Sequence, residues 1–523
     1  MLTPIVDDQY VAARAYFGAV VGLLFLEGLP RLAFFLLLKY SSTATRKSRH
    51  WWPTVWLYKL SSFPLPSNLL REYHIADVLR FLVLAALNIA FAINENQYTT
   101  DYKLYGWLTI ANGGLNLLLA TRSNLFSIVL RLPSPVILQY HRWIGTFTFI
   151  HATTHVAFNI MHDIETDQIA SQFESPRIQV GILAWICLSF MFLSSLPIVR
   201  RRLFEVFYYI HFLFFIFMVG ALYHTTNGPE FLLPGFSLWV VDRALRVWHD
   251  FRKIDVESVQ YYAGDLTKFK VTGAWRAQPG QIVWIQLPKV SFLNWHPFTV
   301  AQVTNDDKPV TTIAIRGLGS YTRSVQQLPG AGNGDGAKSL RLRVDGPYGI
   351  GRFNWAKAQL VVLVGGGVGI TPGLSIASFI LQNAHKDATS KQVHLLWIVK
   401  DKSHVAWFAE ELKQLYALSQ QDGCTVSFSV MIHVTDSLSG GDSTLEMQPK
   451  ETNSVDDRLP WDLHTGRPNM GAWIRNIKSN SGAVDACVNL CGPAMLLYEA
   501  RKACISESDA KTIFYVEDEV FHL

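Results

Sequence analysis

Seven long apolar segments occupy the first 250 residues of this chain of 523 residues. A helix that crosses the hydrocarbon core of a membrane needs about 20 predominantly apolar residues, and each segment approaches or exceeds that length. The segments cover residues 13–38, 75–94, 104–121, 136–161, 178–199, 203–224 and 231–247. We therefore predict a membrane α-helical bundle, with a core of six helices and one additional helix at the N-terminus.

The pattern changes near residue 254, where short alternating runs replace the long apolar segments. Runs at 268–271 and 281–286 alternate apolar and polar positions, as half-buried β-strands do. From Leu360 a strand, a glycine-rich turn and a helix follow one another, and further strand-like runs begin at His394 and Val426. This order predicts a β-barrel followed by an α/β doubly wound domain. The predicted domains are residues 1–250, 251–350 and 351–523.

The charges between the apolar segments predict how the chain is threaded through the membrane. Lysine and arginine concentrate after the first, third, fifth and seventh segments, whereas the alternate loops are mostly acidic. Basic loops favour the cytosolic side of a membrane. We therefore expect an integral membrane protein with its N-terminus outside and its second half in the cytosol. The plasma membrane is the expected location, and an internal membrane is the open alternative.

Composition excludes several other classes of protein. The net charge of +5 is small and no long basic run occurs, which argues against nucleic-acid binding. The five cysteines are scattered and form no CxxC pair, which excludes a zinc ribbon and covalently attached c-type haem. Asp7 and Asp8 precede the first apolar segment, whereas a signal peptide opens with basic residues, so we predict a retained span.

Five histidines lie inside two of the predicted spans. The fourth segment contains His141, His151 and His155, and the sixth contains His211 and His224. Both segments leave the same predicted side, so His141 and His211 share one depth. His155 and His224 share a second depth, roughly 20 Å further along at about 1.5 Å per residue. Histidines within a membrane are usually functional, and neutral imidazole is a standard haem-iron ligand. These four histidines are therefore the predicted metal ligands of two b-type haems.

The sixth segment needs a local irregularity to hold its two ligands. At about 100° per residue, the step from His211 to His224 turns by roughly 220°, so a straight helix would aim them apart. A π-bulge or a kink would correct the angle, and Gly220 lies between them. His151 has two interpretations. It is either an alternative outer ligand or a hydrogen-bonded polar residue one turn before His155.

Five short motifs in the second half resemble those of a known family. The sequence NWHPFT at 294–299 resembles the flavin motif of ferric reductases and NADPH oxidases, and RGLGSYT at 316–322 resembles their second flavin segment. DGPYG at 345–349 matches the turn that closes their barrel. LVGGGVGITP at 363–372 matches their nicotinamide-nucleotide motif, and LCGP at 490–493 matches the motif beside the nicotinamide. With the histidines, the resemblance to fungal ferric-chelate reductases covers nearly the whole chain.

The chemistry of the glycine-rich motif agrees with this resemblance. Its glycines follow a predicted strand and precede a helix opened by Pro372. In that setting backbone N–H groups approach a pyrophosphate at a helix N-terminus, which favours anions. Lys400 and Lys402 follow the next strand, where the family places basic residues against the adenosine 2′-phosphate. The resemblance therefore implies NADPH in preference to NADH.

The resemblance also implies individual roles. Thr299 would hydrogen-bond the flavin ring, Cys491 would contact the nicotinamide, and Phe521 would cover the flavin until the nicotinamide displaces it. These three are the predicted catalytic residues. The predicted cofactor-binding residues are His296, Pro297, Phe298, Thr299, Arg316, Gly319, Thr322, Gly346, Gly365, Gly366, Gly367, Gly369, Thr371, Pro372, Lys400, Lys402, Cys491, Gly492 and Pro493.

The implied activity is transfer of electrons from cytosolic NADPH, through FAD and two haem b groups, to an acceptor outside. A ferric or cupric chelate is the predicted acceptor, so the enzyme would be an NADPH-dependent ferric-chelate reductase. The lipid bilayer is the other predicted partner, and a homo-oligomer is left open. A superoxide-producing NADPH oxidase is one alternative. A metal permease without redox chemistry is another, and it would need no nucleotide motif.

Overall fold

The computed structural model describes residues 8–40, 50–65, 73–93, 101–250, 254–273, 277–291, 294–303, 310–328, 332–333, 340–349, 353–384, 391–436 and 460–519. The predicted flavin cover, Phe521, lies outside these residues. The chain divides into two compact units. The first comprises 1–36, 77–245 and 521–523, and the second comprises 37–76 and 246–520. The connection 37–76 therefore belongs with the second half of the chain, although it lies between two helices of the first half.

Helices account for the regular structure before residue 251. They are α1 (Gln9–Tyr40), α2 (Trp52–Ser62), α3 (Ile75–Ala92), α4 (Tyr102–Leu119), α5 (Leu125–Leu130), α6 (Ser134–Glu165), α7 (Ile169–Phe173), α8 (Pro176–Ser195), α9 (Pro197–Arg202), α10 (Phe204–His211), α11 (Phe214–His224) and α12 (Pro229–Asp250). Each of the seven predicted apolar segments coincides with helix. Among the described residues, four stretches are long and apolar enough to cross a membrane, namely Gln9–Ala33, Ile75–Ala92, Pro176–Ser195 and Phe204–His224. The count of seven spans stays a prediction.

Local sequence explains where several of these helices begin. Pro176 is the first residue of α8, a position that needs no N–H donor and suits the fixed φ of proline. Asp101 caps α4, because its carboxylate accepts a hydrogen bond from the backbone N–H of Leu104. Inside the first unit, Leu108, Tyr140 and Ile144 are fully buried in a single apolar core.

An antiparallel sheet opens the second half of the chain. Its strands are β1 (Ile254–Tyr262), β2 (Leu266–Gly273), β3 (Ile282–Gln286), β4 (His296–Val303), β5 (Val310–Arg316), β6 (Gly332–Asn333) and β7 (Arg343–Tyr348). They are ordered β6-β1-β2-β5-β4-β3-β7, and the short helix α13 (Ser320–Gln326) follows β5. In the part of the chain that the structure describes, no ladder joins β6 to β7. The sheet is curled, and its closure into a barrel stays a prediction.

A parallel sheet follows, as predicted for a doubly wound domain. Its strands are β8 (Leu360–Gly366), β9 (Lys391–Val399), β10 (Val426–Val434), β11 (Leu463–Thr465), β12 (Ala486–Cys491) and β13 (Phe514–Glu519), ordered β11-β10-β9-β8-β12-β13. The helices are α14 (Thr371–Gln382), α15 (Ala409–Ser419), α16 (Met470–Ser481) and α17 (Ala494–Glu507). The strand order reverses between β8 and β12. Ligands of such sheets bind at that reversal, beyond the carboxyl ends of the strands.

Strand β8 shows why its residues suit the centre of this sheet. It is buried on both faces, because Val361 and Leu363 pack into one apolar core while Leu360, Val362 and Val364 pack into another. A central parallel strand requires such a continuous apolar run.

A buried ion pair links β2 to α15. Lys268 Nζ lies 2.9 Å from both carboxylate oxygens of Glu411, and both side chains are almost fully buried. Desolvation lowers the pKa of Lys268, and the Glu411 carboxylate opposes this shift. Removing one partner of such a pair typically costs ~3–5 kcal/mol. The pair therefore ties the curled sheet to the nucleotide-type domain.

Candidate functional site

The four histidines predicted as ligands form two pairs. The ring centroids of His141 and His211 are 6.2 Å apart, and those of His155 and His224 are also 6.2 Å apart. A metal–imidazole bond of about 2 Å on each side of one ion requires ring centroids roughly 6 Å apart. Each pair therefore has the spacing that two axial ligands of one iron need, at two depths along α6.

Backbone carbonyls orient three of these rings. His141 Nδ1 lies 3.3 Å from the carbonyl oxygen of Asn116, His155 Nδ1 lies 2.5 Å from that of Tyr102, and His224 Nδ1 lies 2.9 Å from that of Arg177. A carbonyl only accepts, so each Nδ1 carries the proton and each Nε2 keeps its lone pair. Such second-shell bonds are typical of metal-ligating histidine. The donor set therefore fits two haem irons.

Glycines leave room for the outer pair of rings. A Cβ atom at Gly181 would lie 2.6 Å from His224 Nδ1, and one at Gly106 would lie 3.1 Å from the His155 ring. Both distances are shorter than side-chain packing normally allows. The helices α4 and α8 can therefore approach these imidazoles only because both positions lack a side chain.

The irregularity expected in the sixth apolar segment is present, but its position differs from Gly220. The helix ends at His211 and resumes at Phe214. At the break, the N–H groups of Phe212 and Leu213 donate to carbonyls three residues back, at 3.2 Å and 2.9 Å, as in a 3₁₀ turn. The break immediately follows the inner histidine and lets α10 and α11 aim their histidines separately. No proline or glycine marks this position.

His151 belongs to a different group of polar side chains. Its Nε2 donates to Asn88 Oδ1 at 3.1 Å, and Asn112 Nδ2 donates to the same oxygen at 3.2 Å. Tyr16 OH donates to Asn112 Oδ1 at 2.6 Å, and all four residues are buried. This network ties α1 and α3 to α4 and α6. These contacts agree with the interpretation of His151 as a hydrogen-bonded polar residue. That His151 is not a haem ligand stays a prediction.

The glycine-rich turn lies at the carboxyl end of β8, beside the end of β12. A Cβ atom at Gly369 would lie 2.5 Å from the carbonyl oxygen of Cys491, so this glycine is needed for the two strand ends to approach. Gly367 has φ +58°, which favours glycine, and no atom lies within 3.7 Å of its missing Cβ. The turn is therefore tightly packed at Gly369, whereas its backbone is open at Gly367. Thr371 and Pro372 begin α14, both buried.

A cleft of about 240 Å³ lies at this edge of the parallel sheet. Its lining includes Gly366, Gly367, Lys400, Pro493 and, unpredicted from the sequence, Arg467. Further unpredicted lining residues are His404, Thr435 and Glu499. Lys400 follows β9 and Arg467 follows β11, so both basic side chains come from carboxyl ends of parallel strands. Because β11 has only three residues, the sequence shows little strand pattern that would have identified Arg467 as a cleft residue.

Arg316 also lines this cleft, at the end of β5. Its guanidinium lies 5.5 Å from the centroid of the Trp407 ring, on which His404 stacks at 4.1 Å. The structure thus brings Arg316 next to the glycine-rich turn as well as next to the flavin motifs. Lys402 begins a 3₁₀ turn that ends at Trp407. Lys402 is exposed.

The remaining residues of the predicted flavin segments lie on β4, α13 and β7. His296 stacks on Tyr321 at 4.0 Å, and burial lowers the pKa of His296 to about 4, so its ring is neutral. Thr322 Oγ1 accepts hydrogen bonds of 2.9 Å from the N–H groups of Leu318 and Gly319, so its hydroxyl caps α13. Pro297 and Phe298 pair with β3, and Gly346 on β7 has φ +130°. Gly492, in the motif predicted to lie beside the nicotinamide, has φ +157°.

A carboxylate that the sequence did not single out lies beside Thr299. Thr299 Oγ1 donates to Glu519 Oε2 at 3.5 Å, and Asn489 Nδ2 donates to Glu519 Oε1 at 3.0 Å. Desolvation and the neighbouring Glu517 carboxylate raise the pKa of Glu519 to about 8. Desolvation also raises the pKa of Cys491, which pairs with Glu519 across β12 and β13, so that thiol is neutral. Within the described residues, Thr299, Cys491 and Glu519 form one group.

Comparison with known families matches three successive segments of the chain. Residues 105–222 match the ferric reductase like transmembrane component, residues 251–351 match an FAD-binding domain, and residues 358–505 match the ferric reductase NAD binding domain. The chain belongs to the ferric reductase family. His141, His155 and His211 lie inside its transmembrane component, and His224 lies just beyond the matched segment. The glycine-rich turn and Cys491 lie inside the ferric reductase NAD binding domain.

Curated relatives agree with this assignment. The chain is 29% identical over 259 residues to probable ferric reduction oxidase 1 of Arabidopsis thaliana, covering 48% of this chain and 37% of that protein. It is 26% identical to ferric reductase transmembrane component 3 of Saccharomyces cerevisiae, covering 89% and 70%. It is 23% identical to NADPH oxidase 1 of Mus musculus, covering 70% and 72%. The chain thus spans well under half the length of the plant relative.

One solved structure matches about half of this ferric reductase family member. The Amycolatopsis cytochrome P450 reductase GcoB is 19% identical, covers 51% of this chain and 71% of its own, and has a TM-score of 0.33. That score is low, so the fold described above rests on the strands and helices of the chain itself.

Proposed function

We propose that this protein transfers electrons from cytosolic NADPH, through FAD and two b-type haems, to a ferric or cupric chelate on the opposite side of the membrane. The observation that carries the proposal is the pairing of His141 with His211 and of His155 with His224, each at a ring separation of 6.2 Å. A permease has no use for two such pairs, or for a nucleotide cleft on the same chain.

The four paired histidines would act as fixed ligands that hold the haems. With Nδ1 held by a carbonyl, His141, His155 and His224 would each present Nε2 to an iron without rearrangement. His211 would complete the inner pair. Each haem would be held by two histidines and would supply one-electron transfer, and the acceptor would receive electrons without binding to the iron.

The residues of the cytosolic half would bind and orient the two nucleotides. Bound FAD would accept a hydride from the nicotinamide and release single electrons. The open backbone at Gly367 and the guanidinium of Arg316 suit a pyrophosphate. Lys400 and Arg467 offer positive charge in the same cleft, where a 2′-phosphate would distinguish NADPH from NADH.

Thr299, Cys491 and Glu519 would define the place where nicotinamide and flavin meet. The Thr299 hydroxyl would orient the flavin ring, and the neutral Cys491 thiol would contact the nicotinamide. Glu519 would hold the Thr299 hydroxyl in place from the adjacent strand. Its raised pKa keeps this carboxyl largely protonated at neutral pH, which avoids an isolated charge beside an apolar ring.

The decisive experiment measures NADPH-driven reduction by the purified protein in two parallel reactions. One contains a ferric chelate under nitrogen, and the other contains oxygen with superoxide detection. Fast anaerobic iron reduction with little superoxide is the expected result. Superoxide formation with little iron reduced under nitrogen would contradict the choice of acceptor. Absence of a haem absorbance spectrum would contradict the whole route.

A second candidate is a superoxide-producing NADPH oxidase. The similarity to mouse NADPH oxidase 1 over 70% of this chain favours it, and the same histidine pairs would serve it. Four acidic residues at the end of α6 and shortly after it favour a metal chelate outside, namely Asp163, Glu165, Asp167 and Glu174. The two-reaction experiment separates these candidates.

A further inference from the structure

We propose that α2 lies on the cytosolic surface of the lipid bilayer, with its tryptophan side in the interfacial region and its opposite side holding the nucleotide-binding domain. This helix lies outside the three segments that match the ferric reductase family. The proposal does not depend on the identity of the electron acceptor or on the haem ligands.

One side of α2 is firmly docked on the parallel-sheet domain. Val55 is 5% exposed. Tyr58 OH donates to the carbonyl oxygen of Phe514 at 2.5 Å, and its ring packs against Tyr515 with centroids 5.5 Å apart. Lys59 Nζ donates to the carbonyl oxygens of Ser506 and Ser508 at 3.1 and 2.9 Å, at the end of α17. A cation there also suits the negative end of the helix dipole.

Contacts on both sides of α2 strengthen this docking. Before the helix, His50 Nε2 lies 2.9 Å from the carboxylate of Asp485. After it, His74 Nε2 lies 3.6 Å from Asp518 Oδ2, which Arg501 also contacts at 2.7 Å. Asp518 immediately precedes Glu519 on β13. Tyr58 and His74 therefore both contact β13, the strand that carries Glu519.

The other side of α2 is strongly apolar and exposed. The exposed fractions are 74% for Trp51, 69% for Trp52, 51% for Trp56, 57% for Leu57 and 41% for Leu60. Trp52, Trp56 and Leu60 are four residues apart and share one helix face. Soluble proteins rarely expose a contiguous apolar patch that contains three tryptophans, so such a patch indicates a binding surface.

The position of α2 in the chain identifies the bilayer as its occupant. It lies between α1 and α3, and both of these contain stretches long and apolar enough to cross a membrane. Eleven residues separate Tyr40 from Trp52, and twelve separate Ser62 from Ile75. At no more than about 3.6 Å per residue, each connection reaches at most roughly 40 Å. The helix therefore cannot leave the neighbourhood of the membrane surface.

Side-chain chemistry agrees with a lipid surface. Tryptophan is the residue most typical of the membrane–water interface, because its ring is apolar and its N–H is polar. Between residues 41 and 74 the sequence has five basic residues, Arg46, Lys47, Arg49, Lys59 and Arg71, and one acidic residue, Glu72. Cytosolic leaflets carry anionic lipids that attract such a segment. A helix whose exposed side carries tryptophan and leucine, in a basic segment, is suited to lie in the interface plane.

A depth measurement on the full-length protein in lipid nanodiscs tests the proposal. An environment-sensitive fluorophore is attached to L57C on the exposed side, in a chain whose half-buried Cys424 and Cys487 are replaced by serine. The matched control carries the label at Q421C, an exposed position after α15 in the same domain. Lipids with a nitroxide near the headgroup quench any fluorophore in the interface.

We expect quenching of at least twofold at position 57 and little at position 421. The double variant W52Q/W56Q, which leaves the docked side intact, should reduce the quenching at position 57 while FAD content stays unchanged. Lack of quenching at position 57 would overturn the proposal. A blue-shifted emission without lipid quenching would also overturn it, because a second copy or another protein would then cover the helix. Equal quenching at both positions would show that the label itself causes the quenching. That result would also overturn the proposal.

Discussion

The helical unit and the nucleotide-binding domain position their functional groups in opposite ways. In the helical unit the proposed chemistry resides in side chains, and backbone carbonyls such as those of Tyr102 and Arg177 orient the imidazoles. In the nucleotide-binding domain the chemistry at the glycine-rich turn resides in the backbone itself, and Gly369 is needed because any side chain would strike a carbonyl. Substitutions should therefore act by removing a ligand in the first region and by adding atoms in the second.

The largest effect is expected from removing an outer histidine. H155A should lower the haem content from about two to about one per chain and slow electron transfer to an external acceptor more than 100-fold, because one iron loses an axial ligand. The pyridine haemochrome assay measures the haem content. H151A is the matched control, since His151 bonds to Asn88, and it should keep both haems. Loss of a haem from H151A, with none lost from H155A, would reverse our assignment of the outer ligand.

Adding one methyl group at the turn should have the next largest effect. G369A places a Cβ 2.5 Å from the carbonyl oxygen of Cys491, so the ends of β8 and β12 must separate. We expect NADPH-dependent reduction of a soluble dye to fall at least tenfold while haem content is unchanged. G471A, where the nearest atom would be Asn469 Oδ1 at 3.6 Å, should retain full activity. A G369A rate within twofold of the native rate would show that the turn tolerates a side chain.

The basic side chains in the cleft share features with both regions. They would bind through side-chain charge, but they are positioned at the carboxyl ends of parallel strands. R467A and K400A should each lower the preference for NADPH over NADH about tenfold, or ~1.4 kcal/mol. The ratio of kcat/KM values for the two nucleotides measures this preference. R475A, which removes an exposed side chain of α16, is the control. An unchanged ratio in both cleft variants would mean that the 2′-phosphate binds elsewhere.

The smallest effect concerns the protonation of Glu519. Its pKa is raised from 4.5 to about 8, so between these pH values the folded chain holds a proton that the unfolded chain has released. Stability of this region therefore falls as pH rises through that window. E519Q should remove this component, so the temperature of flavin release should drop less between pH 6 and pH 8 than in the native protein, by a few degrees. D422N removes an exposed carboxylate and should behave like the native chain. Parallel pH profiles for E519Q and the native chain would contradict a raised pKa.

Sequence periodicity predicted much of this architecture because the relevant signals are local. The spacing from His141 to His155 follows from helix geometry alone, and the turn at 365–369 follows a visible apolar strand. The order of domains also follows from the change in apolar period near residue 254. Such features depend on residues within a single helix or within one strand and the turn that follows it.

The missed features depend on contacts between distant parts of the chain. Glu519 reaches Thr299 only because β13 pairs with β12 in a register that sets Cys491 opposite Glu519. Arg467 follows a strand of three residues whose position is defined by pairing with β10. No glycine or proline in the sequence predicts the break after His211. No sequence pattern groups α2 with the second unit, and only the tertiary contacts of residues 37–76 do so.

The two glycines beside the outer imidazoles also constrain how this fold can diverge. Because Gly181 and Gly106 sit against His224 and His155, a larger residue at either position can be accepted only with a shifted helix or a rotated ring. Positions 181 and 224 should therefore change together or not at all, and so should positions 106 and 155. A distant homologue that keeps both histidines but carries bulky residues opposite them would be expected to hold its outer cofactor in a different orientation.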